Sequence, residues 1–265
     1  MHGGGPARGI LDPMTPQTLL HLLLPGPVLA PFVYGVLLYS ARYLVLALAL
    51  YGVARRGWGR PVDPAYPAGD DRAMHLQREL GHAAGTVLVF GLVNAVLFGT
   101  GLIRHAQIYW HLDSAPAGWF ALSVGLALVL HDALFYALHR LMHTRPLYRR
   151  THLTHHRSVR PTAFAAYSFH PWEALAESLL VVAILFVLPM HPLALLVFQT
   201  VSTLINVYGH CGREFYPPDW HRHPIGRWIN TSTLHAHHHA TGRENYSLYF
   251  TWWDRWLGTA DPARR

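Results

Sequence analysis

Apolar residues in this chain are gathered into long blocks and do not alternate with polar ones. Three blocks, Val28 to Val53, Ala83 to Ile103 and Gly118 to Leu138, reach the length of about 20 mainly apolar residues that carries a helix across a bilayer. A further region holds two shorter blocks, Ala174 to Met190 and Pro192 to Gly209, joined through PMHP. Its prolines interrupt any continuous helix, so the pattern predicts two antiparallel helices. The segment from Arg55 to His82, with its run RGWGRPVDPAYPAGDDR, has the Gly, Pro and Asp density of an irregular surface connector. The stretches His139 to Arg160 and His210 to Arg265 are polar and are expected to leave the bilayer as short helices. The first 17 residues are rich in Gly and Pro and lack the pattern of a cleaved signal peptide, which makes them a frayed end before a true anchor.

Composition agrees with lipid as the solvent, since 51% of the 265 residues are apolar and only 13% are charged. The chain contains no lysine, so all 21 of its basic residues are arginine. Eighteen of them follow the first span, the third span or the hairpin, whereas Arg8 and Arg104 fall opposite and Arg42 lies inside the first span. The positive-inside rule then places the arginine-rich face in the cytoplasm and the N-terminus outside. The net charge of +7 is accounted for by anionic lipid headgroups and an acidic protein partner, without nucleic acid. Cys211 is the only cysteine, which excludes an internal disulfide and a thiolate metal cluster.

Eight histidines stand in three groups, HRLMH (His139, His143), HLTHH (His152, His155, His156) and HAHHH (His235, His238, His239). On a helix, residues three and four apart share a face, so each group aims two or three imidazoles at one point. With 21 histidines in the chain, chance supplies roughly 1.7 HxxxH pairs but only about 0.13 HxxHH triplets, so the two triplets carry the signal. A structural zinc takes four ligands and a catalytic zinc usually three, so eight imidazoles fit two metal ions. Imidazole suits iron, zinc and copper, and spacing alone does not choose among them. The ExxH pattern of soluble di-iron carboxylate proteins is missing from these segments, which makes the expected centre nitrogen-rich.

These motifs, in this order and with the third some eighty residues after the second, resemble the fatty acid hydroxylase and sterol desaturase superfamily. PTAFAAYSFHPWE, the hairpin entered through LPMHP, INTSTLHAHHH and YFTWWDRWLGT are most similar to its sterol C-5 desaturase (lathosterol oxidase) branch. The resemblance covers roughly Asp132 to Thr259. It implies an all-α integral membrane protein, a helical transmembrane bundle with a cytosolic histidine-rich cap. Residues 1–115 would supply spans and a connecting loop, and residues 116–265 the catalytic region. It further implies two iron ions held by His139, His143, His152, His155, His156, His235, His238 and His239, with His210 in NVYGHCG completing the set. Asn206 stands where some relatives carry another histidine. The implied reaction is O₂-dependent oxidation of a C–H bond in a sterol-like or long acyl lipid, giving an alkene or an alcohol. No haem, flavin or iron–sulfur segment is present, so electrons would come from a cytochrome b5-like protein or a ferredoxin and reductase. Divalent affinities at nitrogen sites allow zinc to replace iron on purification.

Asp132 and His170 are further candidates. Asp132, inside the third span, is expected to face the bundle interior and accept the second N–H of a ligand histidine. His170 matches a family position before a proline, as a ligand, a supporting group or a turn residue. Glu173 and Glu177 are placed either to orient imidazoles or to meet arginines. His237 lies off the HxxHH face and reads as a spectator, and His221 and His223 as solvated loop residues. The alternative from another class is a His-rich membrane metal-binding or metal-transport protein. Transporters, however, bind ions near the midplane on broken helices, whereas these triplets lie in polar segments. A zinc hydrolase of the HExxH type lacks its motif.

Overall fold

The structure, a computed structural model, describes residues 26–63 and 71–261. The Gly- and Pro-rich N-terminal stretch and part of the connector, residues 64–70, lie outside the described residues. Eight helices of four or more residues organise the rest: α1 (Leu29–Arg55), α2 (Asp71–Gly99), α3 (Trp119–Met142), α4 (Leu153–His156), α5 (Pro171–Val187), α6 (Pro192–His210), α7 (Ser232–Thr241) and α8 (Trp252–Trp256), with a further three-residue helical turn at Arg145–Leu147. Short 3₁₀ and π turns join them, and one two-residue antiparallel ladder pairs Arg60 with Glu214 and Pro61 with Arg213. Among the described residues, four helices are long and apolar enough to cross a membrane: Leu29–Arg55, Met74–Gly99, Trp119–Met142 and Pro192–His210. Their outward faces expose residues such as Leu37, Val45, Leu48, Leu92 and Leu122. A contiguous apolar exterior of this kind is covered by lipid. Of the predicted hairpin, only α6 reaches spanning length, because α5 stops at 17 residues.

The second helix begins earlier than the apolar pattern predicts. Its polar first turns, within the segment expected to be irregular, carry Leu76 and Leu80 into the core. Glu79, buried there, accepts the Thr162 backbone N–H at 3.3 Å and the Thr162 hydroxyl. Tertiary packing thus extends the helix beyond the bilayer-length block.

Helices α1 and α2 run antiparallel at close range. A Cβ on Gly91 would lie 2.6 Å from Val36, and one on Gly35 would lie 3.0 Å from Asn94, so glycine at both positions allows the approach. The Asn94 amide donates to the Pro31 carbonyl at 2.6 Å. The stretch TAFAAYSF does not continue a helix but crosses the interior as a buried 3₁₀ turn, Ala163–Tyr167, packed on α1, α2 and α6. Irregular backbone in such a place must be paired by protein. Tyr43 donates to the Phe164 carbonyl at 2.7 Å, and Asn206 donates to the Ala166 carbonyl at 3.0 Å. The Tyr43 and Tyr167 rings stack 4.5 Å apart. The chain ends of α1, α3 and α6 and the start of α5 gather on one side of the bundle, and the histidine segments cap that side.

Candidate metal centre

The last turn of α3 supplies His139, and His143 terminates that helix as its C-cap. The chain then passes through a π-helical turn, Tyr148–His152, before α4. Such wide turns recur at functional sites because they rotate side chains off the α-helical register, and here the turn delivers His152. Helix α4 carries His155 and His156, and α6 ends on His210. Helix α7 starts at Thr231, whose hydroxyl accepts the Leu234 N–H, and stops at Gly242 in the left-handed region, φ 66°. Between those caps it presents His235, His238 and His239.

The nine imidazoles form two groups. His139, His143, His152, His156 and His238 make one, and His155, His210, His235 and His239 make the other; in each, the candidate ligand atoms lie within 4.8 Å of one another. All nine are buried except half-buried His143. This corrects the expectation that each triplet aims at a single point. Successive helical residues diverge by about 100°, so His155 and His156 face different groups, as do His238 and His239. HLTHH gives two imidazoles to the first group and one to the second, and HAHHH the reverse.

Four of the rings have their outer nitrogen occupied by an acceptor oxygen, a backbone carbonyl in three cases and a carboxyl in the fourth. His139 Nδ1 donates to the Tyr246 carbonyl at 2.7 Å, His238 Nδ1 to the Glu244 carbonyl at 2.6 Å and His210 Nδ1 to the Asn206 carbonyl at 2.7 Å. His152 Nδ1 donates to Glu173 Oε1 at 2.7 Å. The proton held at Nδ1 leaves a lone pair at Nε2 of each neutral ring. In the group of four, His210 Nε2 lies 3.0 Å from His235 Nε2 and 3.2 Å from His155 Nε2 and from His239 Nε2; in the group of five, two of the bare nitrogens face each other, His139 Nε2 lying 2.9 Å from His152 Nε2. Two lone pairs at such range repel. Protons are a poor remedy, because burial pushes His152, His155, His235, His238 and His239 well below the ordinary histidine value, His143 to about 4 and His156 to about 3. The nitrogen sets therefore fit metal cations, which draw lone pairs together without a proton.

Asp132 and His170 belong to neither group. Asp132 Oδ1 accepts from the backbone N–H groups of Leu248 and Tyr249, at 3.0 and 2.7 Å, and from no histidine. Asp254 accepts from those of Tyr246 and Ser247, at 2.8 and 2.9 Å. Two buried carboxylates thus take four consecutive amides of the irregular segment whose Tyr246 carbonyl orients His139. The carboxylate expected at a histidine N–H is Glu173, not Asp132. His170 caps α5, its Nδ1 accepting from the Trp172 N–H at 3.3 Å, as a residue before a helix-starting proline can. Asn206 spends its amide on Ala166 and its carbonyl on His210. His237 lies apart from both groups, 3.3 Å from Asp261 and 3.8 Å from Glu244. His223 accepts the Ile225 and Gly226 N–H groups at 3.3 and 3.2 Å, tying its loop. The carbonyls of Tyr246 and Glu244 escape sequence reasoning, because a main-chain acceptor has no residue signature.

A sequence model described as fatty acid hydroxylase matches residues 124–259, which contain all nine histidines. The chain belongs to the fatty acid hydroxylase family. Lathosterol oxidase of Mus musculus is 32% identical to this family member over 185 residues, 68% of this chain and 59% of the relative. A Delta(7)-sterol 5(6)-desaturase of Gibberella zeae is 26% identical over 69% of this chain and 55% of its own. Cholesterol 25-hydroxylase of Rattus norvegicus is 36% identical over 51% and 45%. The chain thus spans well under two thirds of these curated relatives' lengths. No solved structure matches it.

Beside the histidines, this hydroxylase-family bundle forms a partly open cavity of about 600 Å³ lined mostly by apolar side chains of α1, α2, α3, α5 and α6. That volume lies within the roughly 300–1,000 Å³ of small-molecule sites. Phe135 and Phe169 line it and also pack on the clustered imidazole rings, 5.1 Å from His139 and 5.2 Å from His155. The cavity therefore abuts both groups.

Proposed function

We propose that this protein is a membrane oxygenase that uses two iron ions, O₂ and external electrons to oxidise a C–H bond of a lipid, by desaturation or hydroxylation. His139, His143, His152, His156 and His238 hold one ion, and His155, His210, His235 and His239 hold the other. The observation that carries this reading is the pair of buried all-nitrogen groups at the end of an apolar cavity. Iron bound there would supply the activation of O₂ that an unreactive C–H bond requires. The chain's own residues supply position and dryness. Glu173 and the Tyr246, Glu244 and Asn206 carbonyls keep a proton on Nδ1 and turn Nε2 inward. Phe135, Phe169 and Leu248 wall the histidines from water and hold an apolar substrate against them. Asp132 and Asp254 fix the segment that fixes His139.

The relatives' names favour a sterol-like substrate, with a long acyl chain as second candidate. The arginine asymmetry supports a cytoplasmic histidine face, on whose basic surface a cytochrome b5-like protein or a ferredoxin and reductase would dock. The grouping at helix ends, away from the midplane, weighs against metal transport. The test is metal analysis of purified protein combined with incubation of membranes with candidate lipids, O₂, reductant and the electron carrier. Two metal ions per chain and a product that gains a double bond or one oxygen from O₂ are expected. One metal ion per chain, or product oxygen traced wholly to water, would overturn the reading.

A further inference from the structure

Arg42 is an unusual presence in this bundle. It stands 13 residues from either end of α1, Leu29–Arg55, about 20 Å at 1.5 Å per residue. No arginine side chain spans that distance to a headgroup layer, so this charge cannot escape by stretching towards water. It lines the cavity together with Tyr39 and Gln199. Its Nη1 donates to Gln199 Oε1 at 2.8 Å, and its guanidinium carbon sits 5.1 Å from the centre of the Tyr39 ring. Its Nε is buried and has no hydrogen-bond partner. Among the described residues no carboxylate comes within 4.0 Å of it, including Glu177, the acidic residue on the cavity wall. With the Gln199 oxygen engaged by Arg42 and its side chain also hydrogen-bonded to Tyr39, the guanidinium presents the remaining N–H groups and a positive charge, with no counter-charge among the described residues.

A second observation gives this donor array a direction. Gln199, Ser202, Thr203 and Asn206 all line the cavity from α6. Their spacing of three and four residues is one helical face, and the next position on that face is His210. From Gln199 to His210 is eleven residues, or about 16 Å along the axis. On α3 the cavity residues His131 and Phe135 lead in the same way to His139.

We propose that Arg42 and Gln199 form a head-group anchor for the lipid that occupies this cavity, binding a terminal oxygen acceptor and most tightly a carboxylate. This rests on the reading of the cavity as the substrate site. The anchor makes α6 a ruler: the carbon presented to the histidines lies about 16 Å from the bound oxygen, on the order of a dozen carbons along an extended acyl chain. For a sterol held by its hydroxyl, the carbon presented is on the side chain, because ring carbons near the hydroxyl stay beside Gln199. The substrate class that follows is a lipid with one polar end and its oxidised carbon near the other.

The test is equilibrium binding to the full-length protein in detergent, which needs neither O₂ nor turnover. The probes are palmitic acid against methyl palmitate and hexadecane, and cholesterol against cholestane. The wild type is expected to prefer palmitic acid over hexadecane by 10- to 100-fold, the range for a charge-assisted hydrogen bond in an apolar site. Arg42→Leu should erase that preference while leaving hexadecane binding unchanged, and Arg42→Lys should restore part of it. Gln199→Leu provides an independent variant if Arg42→Leu fails to fold. A cholesterol preference over cholestane that is lost in the same variants, with no acid preference, identifies a sterol hydroxyl as the anchored group. Equal affinity for polar and hydrocarbon probes in the wild type, or a preference that survives both Arg42→Leu and Gln199→Leu, overturns the anchor. A purely structural role for Arg42 would lower thermal stability without changing relative probe affinity. Failure here leaves the oxygenase reading standing, whereas absence of O₂-dependent product from anchored lipid would remove that reading and leave the anchor.

Discussion

Replacing Glu173 by alanine removes the acceptor of the His152 Nδ1 proton at a place where nothing else can take it. The two side chains are 1% and 2% exposed and 2.7 Å apart, so water does not substitute for the lost oxygen. His152 is then free to rotate or to change tautomer, and either turns a protonated nitrogen towards the group it shares with His139, His143, His156 and His238. Hydrogen bonds to charged groups contribute about 1.5–3 kcal/mol. Loss of a carboxylate behind a metal-bound histidine costs on the order of 10- to 100-fold in metal affinity or activity, the same energy range on a logarithmic scale. Glu173→Ala is therefore expected to weaken retention of one of two metal ions by that factor in a chelator competition. Glu173→Gln, whose amide oxygen still accepts, should lose less. The metal-free melting temperature of each variant separates this effect from simple misfolding. Full metal retention by a folded Glu173→Ala protein would refute the argument that this carboxylate fixes His152.

Other outcomes follow from the same geometry. His239→Ala, taken from the group of four, should leave about one metal ion per chain, whereas His143→Ala, taken from the group of five, should retain two with lower affinity; elemental analysis reads both. His237→Ala should keep both ions and most activity, since its ring faces Asp261 and Glu244. The buried histidines are held below the unfolded-chain value of about 6.5, His143 to about 4 and His156 to about 3. Between those values the unfolded chain binds more protons than the folded one, so stability and metal content fall together as pH drops below about 6.5. Melting and metal retention measured from pH 7.5 to 5 would show it, and a flat profile would count against buried neutral rings. Cysteines introduced at Arg149 and at Asp113 should label from opposite faces of the membrane, Arg149 from the cytoplasm; labelling of both from one face would contradict the arginine-based orientation.

The histidine motifs were readable because ligand chemistry demands side chains at helical spacing, and HxxHH is too rare to arise readily by accident. Their partition was not. Counting positions three and four apart joins His152 to both His155 and His156, yet adjacent histidines diverge, and which neighbour each meets depends on α6 and α7 arriving from elsewhere in the chain. Asp132 illustrates a different limit. Its burial in a span correctly suggested an inward role, but its partners are the amides of Leu248 and Tyr249, and backbone groups leave no trace in composition. The apolar blocks located the spanning helices within a few residues, except where α2 continues into the polar turns that bury Glu79. That extension depends on Thr162, more than eighty residues away. The segment Ala163–Tyr167 stands in a stretch that carries the family resemblance, but its path as a buried 3₁₀ turn depends on contacts with Tyr43, Thr203 and Asn206 from other parts of the chain.

The crossed sharing of α4 and α7 between the two histidine groups links their occupancy. An ion seated among His152, His156 and His238 immobilises the same two short helices that must present His155, His235 and His239 to its neighbour. The ordering entropy of those helices is spent largely on the first arrival, so the second meets a prepared cage. Metal loading of this protein should accordingly be steep in free metal concentration, with singly loaded chains scarce at every point of the titration.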